Sequence, residues 1–224
     1  MTAESAKPTR PGWRARSADV GALRPKVAVL DYGIGNLRSA QKALQQVGAD
    51  ARLTADAALV ADAAGVVLPG VGAFGRCMEA LRGVGLDQVA LGAIAADTPF
   101  LGICVGMQLL YEGSEESPEH AGLGVLAGTV GRLADGVKRP QMQWNVVDLV
   151  GEPALAAGLD RPLWAYFVHS FAPPPGDHVV ATCDYGGPVV AAVERGTLWA
   201  TQFHPEKSGR AGLAILANFV ASLS

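Results

Sequence analysis

From Lys26 onward the chain alternates apolar runs of strand length with helical patterns, and this alternation restricts its fold more than any other feature. Lys26 to Tyr32 reads as a strand and Asn36 to Val47 as a helix. Ala51 to Thr54 and Gly65 to Leu68 follow as strands, the second running into a Gly/Pro loop, Pro69 to Gly75. Helical patterns around Cys77 to Leu81 and over Leu86 to Ala96 precede a further strand, Pro99 to Ile103. Strands joined through helices imply right-handed crossovers, so an α/β fold is expected: a mostly parallel sheet with helices on both faces. In such sheets ligands bind beyond the carboxyl ends of the strands, and that edge is where chemistry should be sought.

From Gly124 the pattern changes. Val125 to Leu133, Trp144 to Val150, Ala165 to His169, Val179 to Asp184, Val189 to Val193 and Leu198 to Phe203 all read as strands with few helices between them. An antiparallel β layer added to the parallel sheet, rather than a separate domain, is expected. Arg210 to Leu223 closes the chain as an amphipathic helix carrying Leu213, Leu216, Phe219 and Val220 on one face. With 224 residues and half of them hydrophobic, one large domain over residues 26–224 has ample core.

Residues 1–25 are rich in Ala, Arg, Pro and Ser and lack hydrophobic periodicity, which reads as a disordered tail. An organelle transit peptide is the other reading of such a start, and Glu4 and Asp19 argue against it. A net charge of −3 without long like-charge blocks removes the footprint of a nucleic-acid binder. No apolar run approaches the length of a membrane span and no signal-peptide segment opens the chain, so a cytoplasmic location is expected. Cys77, Cys104 and Cys183 lie too far apart for a metal-ligand pair and suggest no disulfide framework.

The chemistry concentrates at Phe100-Leu101-Gly102-Ile103-Cys104-Val105-Gly106-Met107-Gln108, an apolar strand, a cysteine between nearby glycines, then a helical run. This is the pattern of a nucleophile elbow. Gly102 and Gly106 leave room for a strained strand-to-helix turn, and a helix N-terminus behind the cysteine favours thiolate and offers amides to an oxyanion. A buried structural cysteine is the other reading. The strand Leu198 to Phe203 runs into His204-Pro205-Glu206, placing an imidazole at the same sheet edge with a carboxylate two residues on to orient it. His169 also ends a strand and is a pocket-lining candidate rather than the base, whereas His120 and His178 lie in polar, loop-like surroundings. Cys77 and Cys183 read as small core residues.

Pro69-Gly70-Val71-Gly72-Ala73-Phe74-Gly75 could expose backbone amides to an anion or carbonyl oxygen, as half of an oxyanion hole. It lacks the lysine and hydroxyl ending of a phosphate loop. Asp31-Tyr32-Gly33-Ile34-Gly35-Asn36 likewise lacks the third glycine of a dinucleotide fingerprint.

With these residues in hand the chain resembles the class I glutamine amidotransferases, flavodoxin-like in fold, and among them the glutaminase subunits of imidazole glycerol phosphate synthase of histidine biosynthesis. The general markers are the elbow at Cys104 and Phe203-His204-Pro205-Glu206. More specific are Asp31 to Leu37, Pro69 to Phe74, Gly106 to Leu110, Tyr166 to Ser170 and His204 to Ser208. The resemblance implies that Cys104 attacks the side-chain amide of L-glutamine, His204 moves protons and Glu206 holds the imidazole. It further implies substrate-binding and oxyanion positions at Gly70, Val71, Gly72, Val105, Gln108, Glu116, His169 and Ser170. The implied partner is a cyclase subunit forming a heterodimer and receiving ammonia, with neither metal nor organic cofactor. A core of about 200 residues takes up the chain after the tail, so the ammonia acceptor is expected on another protein.

The family usually carries Pro-His-Met-Gly-Trp-Asn where this sequence has Pro140-Gln141-Met142-Gln143-Trp144-Asn145, and an aromatic hydroxyl where Phe171 stands. These departures fall in a segment that lies near the subunit interface in the family. Two other readings keep the same residues: a glutaminase subunit of another ammonia-using synthase, and a cysteine hydrolase or scaffold without glutaminase activity.

Overall fold

The computed structural model describes residues 24–223. In chain order the first half contains β1 (Lys26–Leu30), α1 (Leu37–Gln46), β2 (Asp50–Thr54), α2 (Ala57–Ala61), β3 (Gly65–Gly70), α3 (Phe74–Gly83), α4 (Leu86–Ala95), β4 (Phe100–Cys104) and α5 (Val105–Gln108). The second half contains β5 (Tyr111–Ser114), β6 (Leu126–Arg132), β7 (Gln141–Leu149), β8 (Leu163–His169), β9 (Phe171–Ala172), β10 (Val179–Asp184), β11 (Pro188–Arg195), β12 (Leu198–Thr201) and α6 (Gly209–Ala221).

Nine strands form one sheet in the order β2-β1-β3-β4-β12-β11-β10-β7-β8. The first five run parallel, and their order is the flavodoxin-like one with β12 in fifth place. β3 and β4 are buried at every position, as expected of strands covered by helices on both faces. The covering helices use apolar spacing to do this: α3 buries Phe74, Cys77, Met78 and Leu81 along one stripe. α6 buries Gly212, Ile215, Leu216 and Phe219, while the Leu213 and Val220 expected on that stripe sit half-buried at its margin.

The expected antiparallel addition is present, and it takes the form of in-plane strands. β12, β11, β10, β7 and β8 pair antiparallel in succession and extend the same sheet. Among the described residues, β5, β6 and β9 form a separate, small sheet. β7 begins at Gln141, three residues before the apolar run at Trp144 that marked it in sequence, because Gln141 and Gln143 interrupt the run without interrupting the pairing with β8.

The helix expected after Cys104 is a single turn: α5 ends at Gln108 and the chain re-enters a strand at Tyr111. The run Met107 to Tyr111 is buried throughout, so its hydrophobicity carries no period to separate helix from strand. The tail expected over residues 1–25 lies, except for Arg24 and Pro25, outside the described residues.

Candidate active site

Cys104 closes β4 with φ +56° and ψ −113°, a left-handed-side backbone that a non-glycine residue adopts at a cost of about 1–3 kcal/mol. The turn is possible because of Gly106, where a Cβ would stand 1.8 Å from the Leu68 carbonyl oxygen. The elbow therefore rests backbone-on-backbone against β3. Gly70 pairs directly with Cys104 in the sheet, and a Cβ there would meet the Gly106 amide nitrogen at 2.6 Å. The loop from Val71 thus starts beside the thiol.

β12 is the other neighbour of β4, and His204 follows its end by three residues. The His204 Nδ1 lies 2.8 Å from Glu206 Oε1, with both side chains almost wholly buried. Pro205 opens the short turn between them. Ser208 locks that turn, donating its hydroxyl to the His204 carbonyl at 2.7 Å and accepting the Tyr166 amide at 3.0 Å. Asn36, in the loop after β1, donates to the same Glu206 oxygen at 3.5 Å. Burial alone would lower the His204 pKa, but the neighbouring Cys104 sulfur and the Glu206 carboxylate outweigh it and raise the imidazole to about 9. Its Nε2, although close enough to Cys104 to feel that group, has no hydrogen-bond partner of its own. At neutral pH the ring is an imidazolium between a carboxylate and a thiol, the arrangement in which cysteine attacks as thiolate.

His169, at the end of β8, donates from Nδ1 to the Phe171 carbonyl at 2.9 Å, because a carbonyl can only accept. Its pKa falls to about 4, chiefly through burial and further through the charge of His204, against the pull of the Phe171 carbonyl. His169 is therefore neutral where His204 is charged. It cannot replace His204 as an imidazolium at neutral pH.

The loop after β3 is held from beneath. Tyr32 donates its hydroxyl to the Pro69 carbonyl at 2.6 Å, and the Cys77 thiol lies 3.2 Å from the Val71 carbonyl. Burial raises the pKa of both groups, keeping them protonated donors. Glu116 accepts the Phe74 amide at 2.7 Å and Ser117 the Gly75 amide at 3.2 Å, so the expected substrate-binding carboxylate also caps α3.

A cavity of about 520 Å³ opens over these groups. Of the site residues singled out in sequence, Cys104, His204, Val71, Gly72, Val105, Gln108, Glu116, His169 and Ser170 all line it. Glu206 stands behind His204, and Gly70 is buried beneath the loop. The volume suits a small polar molecule. Among the described residues, no group of three or more His, Cys, Asp and Glu side chains could hold a metal ion, and no helix is long and apolar enough to cross a membrane.

The family model for glutamine amidotransferase class-I matches residues 28–223. The chain belongs to that family. It is 48% identical over 212 residues to the imidazole glycerol phosphate synthase subunit HisH of Thermobifida fusca, covering 90% of this chain and all of that one. It is 49% identical to the HisH subunit of Symbiobacterium thermophilum, over 87% of this chain and 92% of the relative. The structure of PurLQS from Thermotoga maritima superimposes with a TM-score of 0.73 at 19% identity, covering 90% of this chain and 100% of that one, a likeness of fold.

In this amidotransferase several residues with local roles escaped sequence reasoning. Asn36 and Ser208 stood inside quoted motifs, but nothing in their spacing shows that one reaches Glu206 across 170 positions and the other clamps the His204 turn. Gln202, two residues before His204 and just past the end of β12, brings its side-chain nitrogen to 3.7 Å from the Cys104 sulfur, a contact across 98 positions that no local spacing marks. His120 and His178, read as loop residues, are engaged: His120 lies within 3 Å of Glu79 and Glu119, and His178 meets the Tyr111 hydroxyl at 3.0 Å.

Proposed function

We propose that this chain is the glutaminase subunit of imidazole glycerol phosphate synthase, hydrolysing L-glutamine and passing the ammonia to a cyclase subunit in histidine biosynthesis. The observation that carries the reading is the convergence of Cys104, His204 and Glu206 at the ends of β4 and β12 beside one cavity, with the His204 ring bound to Glu206 at 2.8 Å. The Cys104 thiolate adds to the glutamine side-chain carbonyl carbon. The resulting oxyanion is met by backbone amides of the Val71–Gly72 loop and of Val105. Collapse expels the amide nitrogen, which takes the proton of the His204 imidazolium and leaves as ammonia, giving a γ-glutamyl thioester on Cys104. His204, now neutral, takes a proton from water as it attacks the thioester; glutamate leaves and the thiolate–imidazolium pair is restored. Glu206 keeps the ring oriented throughout.

The ammonia needs a receiving protein, and a surface beside the cavity fits one. Met142, Trp144 and Trp164 are about half-exposed or more on one face of β7 and β8, with Val168 of the same face lining the cavity. An apolar, aromatic face at a sheet edge suits a partner subunit rather than solvent. A cytoplasmic site of action is part of this reading, and the free, buried Cys77, Cys104 and Cys183 are compatible with it.

The test uses purified chain with and without the cyclase subunit and its nucleotide-derived ligand. Cys104→Ala should abolish the glutamine-dependent synthase reaction and leave the ammonia-dependent one intact; loss of both would sink the channelling reading. In the wild type, partner plus ligand should raise glutaminase at least about 100-fold, on the order of one oxyanion donor brought into place. A chain already fully active alone would rule out that coupling.

A further inference from the structure

A buried chain of side-chain amides ends on the nucleophile. Gln202 is wholly buried between β12 and His204, and its side-chain nitrogen lies 3.7 Å from the Cys104 sulfur. Its side-chain oxygen accepts the amide of Gln108 at 2.9 Å. The same Gln108 nitrogen donates to the Phe171 carbonyl at 2.9 Å, which also receives the His169 Nδ1–H.

This sequence of partners fixes the amide orientations without appeal to hydrogens. The Phe171 carbonyl has no proton to give, so the Gln108 atom facing it is the NH₂ group. That nitrogen also faces Gln202, which must present its oxygen there. The Gln202 nitrogen is then left pointing at the sulfur. A flip of either amide would set nitrogen against nitrogen or oxygen against a carbonyl oxygen, in an interior where an unmade hydrogen bond is costly.

We infer that Gln202 is a catalytic residue: its side-chain N–H donates to the Cys104 sulfur and stabilises the thiolate, with Gln108 as the positioning residue that holds it there. The reading rests on Cys104 being the nucleophile. His204 supplies charge to the sulfur, yet it loses that charge to the leaving ammonia in the first half-reaction and regains it from water only in the second. Gln202 cannot titrate and supplies a donor that stays in place throughout. The arrangement also divides the work of Gln108. Both hydrogen bonds of its nitrogen are spent inside the protein, so what it offers the cavity is its oxygen, an acceptor for a substrate N–H.

The experiment is iodoacetamide alkylation of Cys104 in the full chain, followed by mass spectrometry of the Cys104 peptide across pH. Direct displacement at iodoacetamide needs the thiolate but builds no tetrahedral oxyanion, so it reads the sulfur alone. Gln202→Met fills the same space without a donor, and Gln202→Glu keeps the acceptor for Gln108 while removing the N–H. Both should carry the pH–rate profile to higher pH, with a deficit of up to about fivefold on its rising limb, in line with one hydrogen bond, and none on the plateau. A deficit independent of pH would mark a packing effect and overturn the inference, as would a pH–rate profile that coincides with that of the wild type. If neither variant folds, the side-chain amide protons of Gln202 are followed by NMR in the wild type. They should shift when Cys104 is replaced by alanine, and unshifted signals would refute the bond. Glutamine protection of wild-type Cys104 is the control: if glutamine gives none, the nucleophile reading itself fails, independently of Gln202.

Discussion

The parallel and antiparallel halves of the large sheet are built on opposite terms. β3 and β4 are buried from end to end and turn backbone-tight corners, whereas β7 buries only Gln141 and Val147 and carries Met142 and Trp144 at 62% and 48% exposure. Where a strand is covered on both faces, its only exposed chemistry is at its end, and Cys104 and the loop from Val71 are placed there. Where one face is left open, its side chains are free to meet another protein. On the proposed function, catalysis and partner contact fall to different halves of one sheet and meet at the cavity, where β8 contributes Val168 and His169.

That division can be broken most directly from the parallel side. His204→Ala should reduce glutaminase at least about 10³-fold while leaving partner binding unchanged, because only the oxyanion amides and substrate binding remain. The check is the rate at saturating glutamine in the assembled complex. A loss below tenfold would reassign the base.

At the seam between the halves, His169 gives a pH signature. Its folded pKa of about 4 lies below the 6.5 of a free imidazole, so the unfolded chain takes up a proton first as pH falls. The stability contributed by the neutral ring is therefore present above pH 6.5 and lost as pH falls towards 4, about 3 kcal/mol in all. His204 has the opposite sign, contributing fully below pH 6.5 and losing that contribution as pH rises through about 9. Urea denaturation at pH 7 and pH 4.5 should show a smaller acid loss in His169→Asn than in wild type. Equal losses would mean that His169 is solvated.

The smallest effect on the chain itself belongs to the open face. Trp144→Ala should change its unfolding free energy by less than about 1 kcal/mol, since the ring is half-exposed, yet weaken cyclase binding by about 2 kcal/mol. Calorimetry on both equilibria separates the two numbers. A large stability loss with normal binding would place Trp144 in the core of this subunit and move the docking surface elsewhere.

By itself the sequence determined the α/β alternation, the elbow at Cys104 and the pairing of His204 with Glu206, because each is local: a hydrophobic period, a glycine next to a strained turn, a carboxylate two residues from an imidazole. Gly106 was readable as part of the elbow, but what excludes a side chain there, the Leu68 carbonyl oxygen 1.8 Å from where a Cβ would stand, comes from the neighbouring strand. The tertiary structure alone decided that β12, late in the chain, inserts beside β4 and so brings His204 to Cys104. It also decided that α5 stops after one turn, that Asn36 reaches Glu206, that Glu116 caps α3 and that two glutamines line up behind the thiol. These depend on contacts spanning tens to hundreds of residues, and a hydrogen bond between distant residues leaves no period or spacing in the chain. Its polar atoms find partners only once the sheet has set which strand ends are neighbours.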